Sequence, residues 1–370
     1  MQINPYLKLM ADKQASDLFF STGAPVNIKI EGITSPVNDK PLPPGMVNQL
    51  AYRVISEEQK KTFEETMELN FSISIEYIGR FRVNLYRQRG ETAMVIRFIK
   101  SRIPSIEELK LPPILKQLVL EPRGLVLLVG STGSGKSTTL ASMIDYRNTT
   151  MTGHILTIEE PIEYIHQHKK SIVDQREVGI DTLSYANALK NAMREAPDVI
   201  LIGEIRDRET MQQAIAYADT GHLCLSTLHA NNANQTLDRI VNFFPDSAHH
   251  QVLQDLSLNL RAVVSQRLIR GIDGKRVPAV EILLKSPYIA DLIEKGDVSA
   301  LKDAIEKSSD SGMQTFDQSL FELYSSGKID MEEALANADS RNNLAVKIRL
   351  AKGVSVGGSD DGLSIGDDFS

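Results

Sequence analysis

Gly130, Ser131, Thr132, Gly133, Ser134, Gly135, Lys136, Ser137 and Thr138 fit the spacing G-x-x-x-x-G-K-[ST] at every fixed position. Glycines at these places let backbone N–H groups turn inward around a phosphate chain, and a following helix adds the positive end of its dipole. In such a loop Lys136 reaches the β- and γ-phosphates, and the Ser137 hydroxyl ligates a magnesium ion. The chemistry is nucleoside triphosphate binding, with ATP and Mg2+ as the cofactors. Hydrolysis also needs carboxylates. Glu159, Glu160 and Glu163 follow the apolar run 154–158, and Glu204 follows the apolar run 199–202. Acids just past the carboxyl end of a parallel strand stand at the usual ligand crevice. One of the first group would orient the attacking water or hold Mg2+ through water; the alternative is a solvated acidic loop. Gly203 stands where many P-loop enzymes carry Asp, so Glu204 must supply the metal-side carboxylate, alone or with help from 159–163.

Two histidines, His222 and His229, bracket a further apolar run. An extended segment of that length separates the rings by roughly 23 Å, so they cannot share one site. His229, at the carboxyl end, is the candidate for sensing the γ-phosphate. His222 reads as structural or as a second direct participant. Arg80, Arg82, Arg87, Arg89, Arg97 and Arg102 crowd one stretch, opposed only by Glu91. They form either a solvated, salt-bridged face or a phosphate-facing surface, for which guanidinium forks are suited. Arg82 and Arg97 fall on predicted strands, which would aim them rigidly. Arg206, Asp207 and Arg208 read as surface charge.

These residues need elements to hold them. The run 125–129 reads as a buried strand entering the glycine loop, and apolar residues at helical spacing follow it, which is the context a P-loop requires. Strands alternate with helices beyond residue 113, the signature of a parallel sheet wrapped by helices. Before residue 100 the pattern differs. A short helix over 5–13 precedes strand-like 17–20 and the alternating run 26–30. A helix covers about 45–55, and Ser56 with Gln59 gives a capping box for another over 57–66. Alternating runs at 69–75 and 81–85, and a third run at 94–96, complete a small α+β domain of about 100 residues. Residues 101–113, with Pro104, Pro112 and Pro113, read as a linker. Farther on, 183–195 is predicted helical, and Val252, Leu256, Leu260, Val263 and Val264 form one stripe of an amphipathic helix over 246–268. The expected division is 1–100, a linker at 101–113, an α/β domain at 114–350, and a disordered acidic tail at 351–370.

Composition narrows the classes. The chain has 370 residues and a net charge of −7, an ordinary globular balance that argues against general nucleic-acid affinity. No nucleic-acid partner is expected. The one cysteine, Cys224, excludes disulfides and cysteine-based zinc sites and reads as a small buried hydrophobe. No window approaches the roughly 20 apolar residues of a membrane span, and the N-terminus lacks a signal-peptide pattern, so a cytoplasmic location is expected. No [NT]-K-x-D string marks a guanine nucleotide switch.

Four strings in order, GSTGSGKSTT, ILTIEEPIEY, VILIGEIRD and GHLCLSTLH, resemble the secretion ATPases of type II and type IV pilus systems. The array is most similar to the PilT/PilU retraction ATPases. Residues 175–179 (QREVG) and 312–317 (GMQTFD) extend the resemblance over nearly the whole chain. It implies a homo-hexameric ring with a PAS-like N-terminal domain and a RecA-like P-loop ATPase domain. It also implies that Glu163 is the catalytic carboxylate, that Glu204 is the Walker B acid, and that His222 and His229 form the histidine box. Arg82 and Arg97 would complete the site around the phosphates. Three departures stand out. Glu160 replaces an aspartate. The segment 288–294 (YIADLIE) is acidic where the PilT helix carries arginines. The chain also runs on into an acidic tail. With the strings IEYIHQH, LHANNANQ and FDQSL, these features place the resemblance nearer the PilU branch. The implied function is ATP-driven pilus retraction, with a PilT-like ATPase and a PilC-like inner-membrane platform protein as partners. The implied location is cytoplasmic and peripheral at that membrane. The alternative is an ATP-binding adaptor that stabilises a partner motor with little turnover of its own. Extension ATPases, which carry an additional N-terminal domain and often a four-cysteine zinc motif, fit less well.

Overall fold

The computed structural model describes residues 2–30, 32–76, 78–99 and 102–351. Beyond Ala351 the expected acidic tail lies outside the described residues. The elements run α1 (Asn4–Asp12), β1 (Asp17–Phe20), β2 (Asn27–Ile30), β3 (Ile33–Pro36), α2 (Met46–Ala51), α3 (Glu57–Thr66), β4 (Glu68–Ile75), β5 (Gly79–Gln88) and β6 (Glu91–Ile99). They continue with α4 (Ile114–Leu120), β7 (Gly124–Val129), α5 (Lys136–Thr150), β8 (Gly153–Glu159), β9 (Ser171–Glu177), α6 (Tyr185–Ala192), β10 (Val199–Ile202), α7 (Arg208–Asp219) and β11 (Leu223–Leu228). The last are α8 (Ala233–Val241), α9 (His249–Asn259), β12 (Leu260–Arg270), β13 (Arg276–Leu284), α10 (Pro287–Lys295), α11 (Leu301–Lys307), α12 (Phe316–Ser325), α13 (Met331–Ala336) and α14 (Arg341–Ala351). They form two compact units, one of residues 1–105, 119–123 and 137–226, the other of 106–118, 124–136 and 227–370.

The first unit holds a six-stranded sheet in the order β3-β2-β1-β6-β5-β4, with antiparallel pairing throughout. On β5 the inward residues Phe81, Val83 and Leu85 are buried and alternate with Arg80, Arg82 and Asn84, as a half-buried strand requires. Leu7 and Met10 of α1, Leu50 of α2 and Phe63 of α3 complete that core. Helix α3 begins on the expected capping box: Ser56 accepts from the Gln59 amide, and the Gln59 side chain accepts from the Ser56 amide. The same unit contains the parallel strands β11-β10-β8-β9. All four residues of β10 and all six of β11 are buried, the uninterrupted apolar run of strands covered on both faces. Cys224 sits in β11 fully buried, and burial pushes its thiol up to about 12.

In the second unit β12 pairs parallel with β7 and antiparallel with β13. Phe316 and Leu320 of α12 and Ile348 of α14 pack with Ile269, Val277 and Ala279 of the two later strands. The helix predicted over 246–268 is corrected here: α9 stops at Asn259, Leu260 turns to an extended conformation, and the chain runs on as β12. Its burial pattern is nearly continuous, so no alternation of polar residues betrays the change of period.

Candidate nucleotide site

The sequence-derived site residues are distributed over both units. In the second, the fully buried strand β7 delivers the chain into the loop at 130–135. The Lys136 ammonium is held over this loop, donating to the carbonyls of Gly130 at 2.8 Å and Ser131 at 3.0 Å. Gly135 has φ +90°, and a Cβ there would lie 2.7 Å from Gln266 Nε2. The backbone conformation favours glycine there, and a side chain would also have to displace the Gln266 amide. Gln266 Nε2 in turn donates to the Ser134 carbonyl at 2.8 Å, so β12 buttresses the loop. Residues 130–134 line a cavity of about 600 Å³ with Asn231, Arg267, Arg270 and Arg276 among its walls. Arg267 is fixed by Asp339 at 2.8 Å and by stacking 3.8 Å from the Phe316 ring centroid. Gln266 and Arg267 escape the sequence reading because that stretch reads as helix. His229 lines a different cavity, of about 380 Å³, with Gln235, Asp238 and Arg239. None of the glycine-loop residues contributes to it.

In the first unit Ser137 and Thr138 lie in the opening turn of α5, and the Thr138 hydroxyl meets the Tyr164 hydroxyl at 3.0 Å. The acidic segment after β8 divides into distinct roles. Glu159 is bonded by Thr157 at 2.7 Å and Gln175 at 3.2 Å. Burial pushes its carboxyl up to about 7, against those two hydrogen bonds, and the charge of Glu163 adds to the rise. Glu163 itself is exposed. Gln175 also donates to the Tyr164 carbonyl at 2.9 Å and accepts from the His166 amide at 2.8 Å.

Arg206, read as surface charge, is exposed and engages two carboxylates. Its Nε donates to Glu204 at 2.8 Å and its Nη1 to Glu160 at 3.2 Å, linking the loop after β10 to the loop after β8. Asp207 caps α7 by accepting from the Thr210 amide at 2.8 Å. The backbone at Gly203 is closely surrounded. A Cβ on Gly203 would lie 2.9 Å from the Tyr185 hydroxyl and 3.2 Å from the Glu159 Cα. Tyr185 sits among Glu159, Glu160 and Glu204; burial first, then the Glu160 charge, raises its phenol and keeps it neutral.

His222 Nδ1 lies 3.2 Å from the Thr220 hydroxyl and 3.3 Å from the Tyr217 carbonyl, at the end of α7. Arg82 and Arg97 are directly opposite each other on β5 and β6. Arg97 Nε donates to Asp17 at 2.9 Å, whereas the charge of Arg82 acts on Glu177. Among the described residues no cluster of three His, Cys, Asp or Glu side chains could cage a metal. The hydroxyl of Ser137 and the carboxylate of Glu204 are oxygen donors that suit magnesium, which keeps most of its shell as water and phosphate.

The model of the type II/IV secretion system protein family matches residues 1–315. The type IV pilus ATPase PilU of Pseudomonas aeruginosa is 55% identical over 351 residues, covering 95% of this chain and 92% of that protein. The retraction ATPase PilT of the same organism is 44% identical over 93% of this chain and 100% of its own length. The crystal structure of the pilus retraction motor PilT with bound ADP superposes with a TM-score of 0.87 at 42% identity, covering 94% of this chain and 99% of that one. With a P-loop, strand-end carboxylates and this extent of similarity, the chain belongs to the type II/IV secretion system protein family, among its type IV pilus ATPases.

Proposed function

We propose that this protein is an ATP-hydrolysing motor of type IV pilus retraction, working as a homo-hexamer beside a PilT-like ATPase against a PilC-like platform protein. The observation that carries the reading is the 55% identity with PilU along 95% of the chain. The accessory, PilU-type role rests on the same similarity. In this reading 1–100 is a PAS-like domain, 101–113 the hinge and 114–350 the RecA-like motor. ATP is held by the loop 130–138, with Lys136 on the β- and γ-phosphates. Ser137 and Glu204 hold the magnesium ion, which neutralises charge on the phosphates when bound. Glu163 polarises the attacking water, and its exposure leaves the carboxylate open to one. His229 senses the γ-phosphate, and His222, bonded to the end of α7, acts indirectly. Arg82 and Arg97 complete the phosphate site during the working cycle.

Steady-state ATPase assays on the purified chain, alone and with a PilT-like partner, test this reading. Glu163→Gln is expected to lower kcat about a hundredfold or more with little change in KM, and Lys136→Ala to abolish nucleotide binding. Turnover surviving in Glu163→Gln would remove that residue from its assigned role. An unmodified chain that binds ATP yet supports retraction without turnover would make it the adaptor.

A further inference from the structure

Glu281, on β13, is a carboxylate outside the acidic segments that follow β8 and β10, and it is 3% exposed. Its Oε1 accepts from the backbone N–H of Ala233 at 2.7 Å and from the Ser265 hydroxyl at 3.0 Å. Both donors are neutral, and a carboxylate buried among neutral donors is retained at a cost in desolvation. Ala233 opens α8, and the N–H groups and dipole at a helix N-terminus favour a negative charge there. Ser265 is the register partner of Glu281 across the β12–β13 pair. One oxygen therefore ties the first turn of a helix to two neighbouring strands.

Each side of that tie leads to the nucleotide site. On the strand side, Ser265 pairs with Val129, the residue before Gly130, and the residue after it is the Gln266 that donates to the Ser134 carbonyl. On the helix side, Asn232 caps α8 by accepting from the Gln235 amide at 2.9 Å, and the Gln235 side chain accepts from the Asn231 amide at 3.2 Å. Asn231 lines the cavity of the glycine loop. Gln235, Asp238 and Arg239, farther along the same helix, line the cavity of His229. The segment 229–239, fixed at Ala233 by Glu281, thus contributes to both cavities.

We propose that Glu281 is a positioning residue that ties the start of α8, and with it the segment carrying His229, to the strands that brace the glycine loop. It does not touch the reacting atoms. Loss of the tie lets the segment shift against the glycine loop, so that His229 no longer meets the γ-phosphate. The loop itself, braced separately by Gln266, keeps its hold on the nucleotide. The kinetic consequence rests on the reading of His229 as the γ-phosphate sensor; the tie between β13 and α8 does not.

The test uses the full chain and the variants Glu281→Leu, Glu281→Gln, His229→Ala and the Glu281→Leu/His229→Ala pair. Amide hydrogen exchange over residues 230–235 is expected to quicken about tenfold in Glu281→Leu, where the Ala233 N–H loses its acceptor. Its kcat for ATP should fall about tenfold, with affinity for ADP, which lacks a γ-phosphate, unchanged to within about twofold. A merely structural role would weaken ADP binding as well. Glu281→Gln keeps an oxygen for Ala233 without the charge and should show an intermediate effect, about threefold in exchange and in kcat. The double variant should turn over no more slowly than His229→Ala alone, because Glu281 acts through that residue. Unaltered exchange at 230–235 in Glu281→Leu, weakened ADP binding, or losses that simply add in the double variant would overturn the proposal. Should Glu281→Leu fail to fold, the change in Glu281→Gln decides the matter, and its absence is the overturning result. If His229→Ala retained full turnover, the reading of His229 would fail, and the exchange data would still decide whether Glu281 holds α8.

Discussion

Glu159 and Glu163 stand four residues apart and differ in environment more than in chemistry. Glu163 is exposed, whereas Glu159 is held at about 7 by desolvation. An unfolded glutamate releases its proton near 4.5, and the folded protein retains it to about 7. Between those values the native state binds the extra proton, so this residue makes the protein less stable as pH rises through the window and has no further effect above it. The loss is on the order of 2 kcal/mol once the partial exposure of the side chain is allowed for. Glu159→Gln keeps the shape and removes the titration. Its melting temperature relative to the unmodified protein should therefore rise between pH 5 and pH 8; a difference that does not change with pH would refute the account. Which acid of the segment 159–163 is buried is not legible in the sequence, because the deciding contacts come from Thr157 and Gln175. Gly203 is the reverse case. The sequence shows the missing aspartate, and the structure shows how closely Tyr185 and Glu159 approach that position.

Elements with a local signal, a cap or a short apolar run bounded by turn residues, are readable, and the long strand β12 is not. Strand β10 was located to the residue, and α3 began where Ser56 and Gln59 form their capping box. β12 was read as helix because Leu256, Leu260, Val263 and Val264 satisfy a helical stripe, and the strand's continuous burial conceals its own period. Gln266, which braces the glycine loop, was lost with it. Helix α12 shows what a cap contributes at this scale. Thr315 is 3% exposed; its hydroxyl accepts from the Gln318 amide, and its own amide donates to the Gln318 side chain at 2.8 Å. That cap fixes the turn from which Phe316 and Leu320 enter the core. Thr315→Ala should cost about 1–2 kcal/mol and lower the melting temperature by a few degrees, with Thr315→Ser restoring it. A Thr315→Ala protein that melts with the unmodified one would show that packing alone sets the helix start.

At the scale of the molecule, the chain order of P-loop, acidic segment, Walker B strand and histidine string specifies the family. The interlocking of these parts was not so specified. Arg97 engages Asp17, Arg206 bridges Glu204 and Glu160, and Gln175 bonds the backbone of Tyr164 and His166 from a strand the sequence does not reveal. Such pairings depend on register between segments distant in sequence, which no local pattern encodes. No described helix is long and apolar enough to cross a membrane. The lone thiol in β11 has a practical consequence for following any motion of the protein. Cys224 is fully buried and its thiol is pushed up to about 12, so thiol-directed dyes should leave the native protein unmodified. A cysteine introduced at the 88%-exposed Leu183 would then carry a fluorophore at a single address without removal of the natural one. Conversely, the slow labelling of Cys224 itself would count the rare openings of β11. Rapid modification by a maleimide under native conditions would show that this strand is far more accessible than its packing implies.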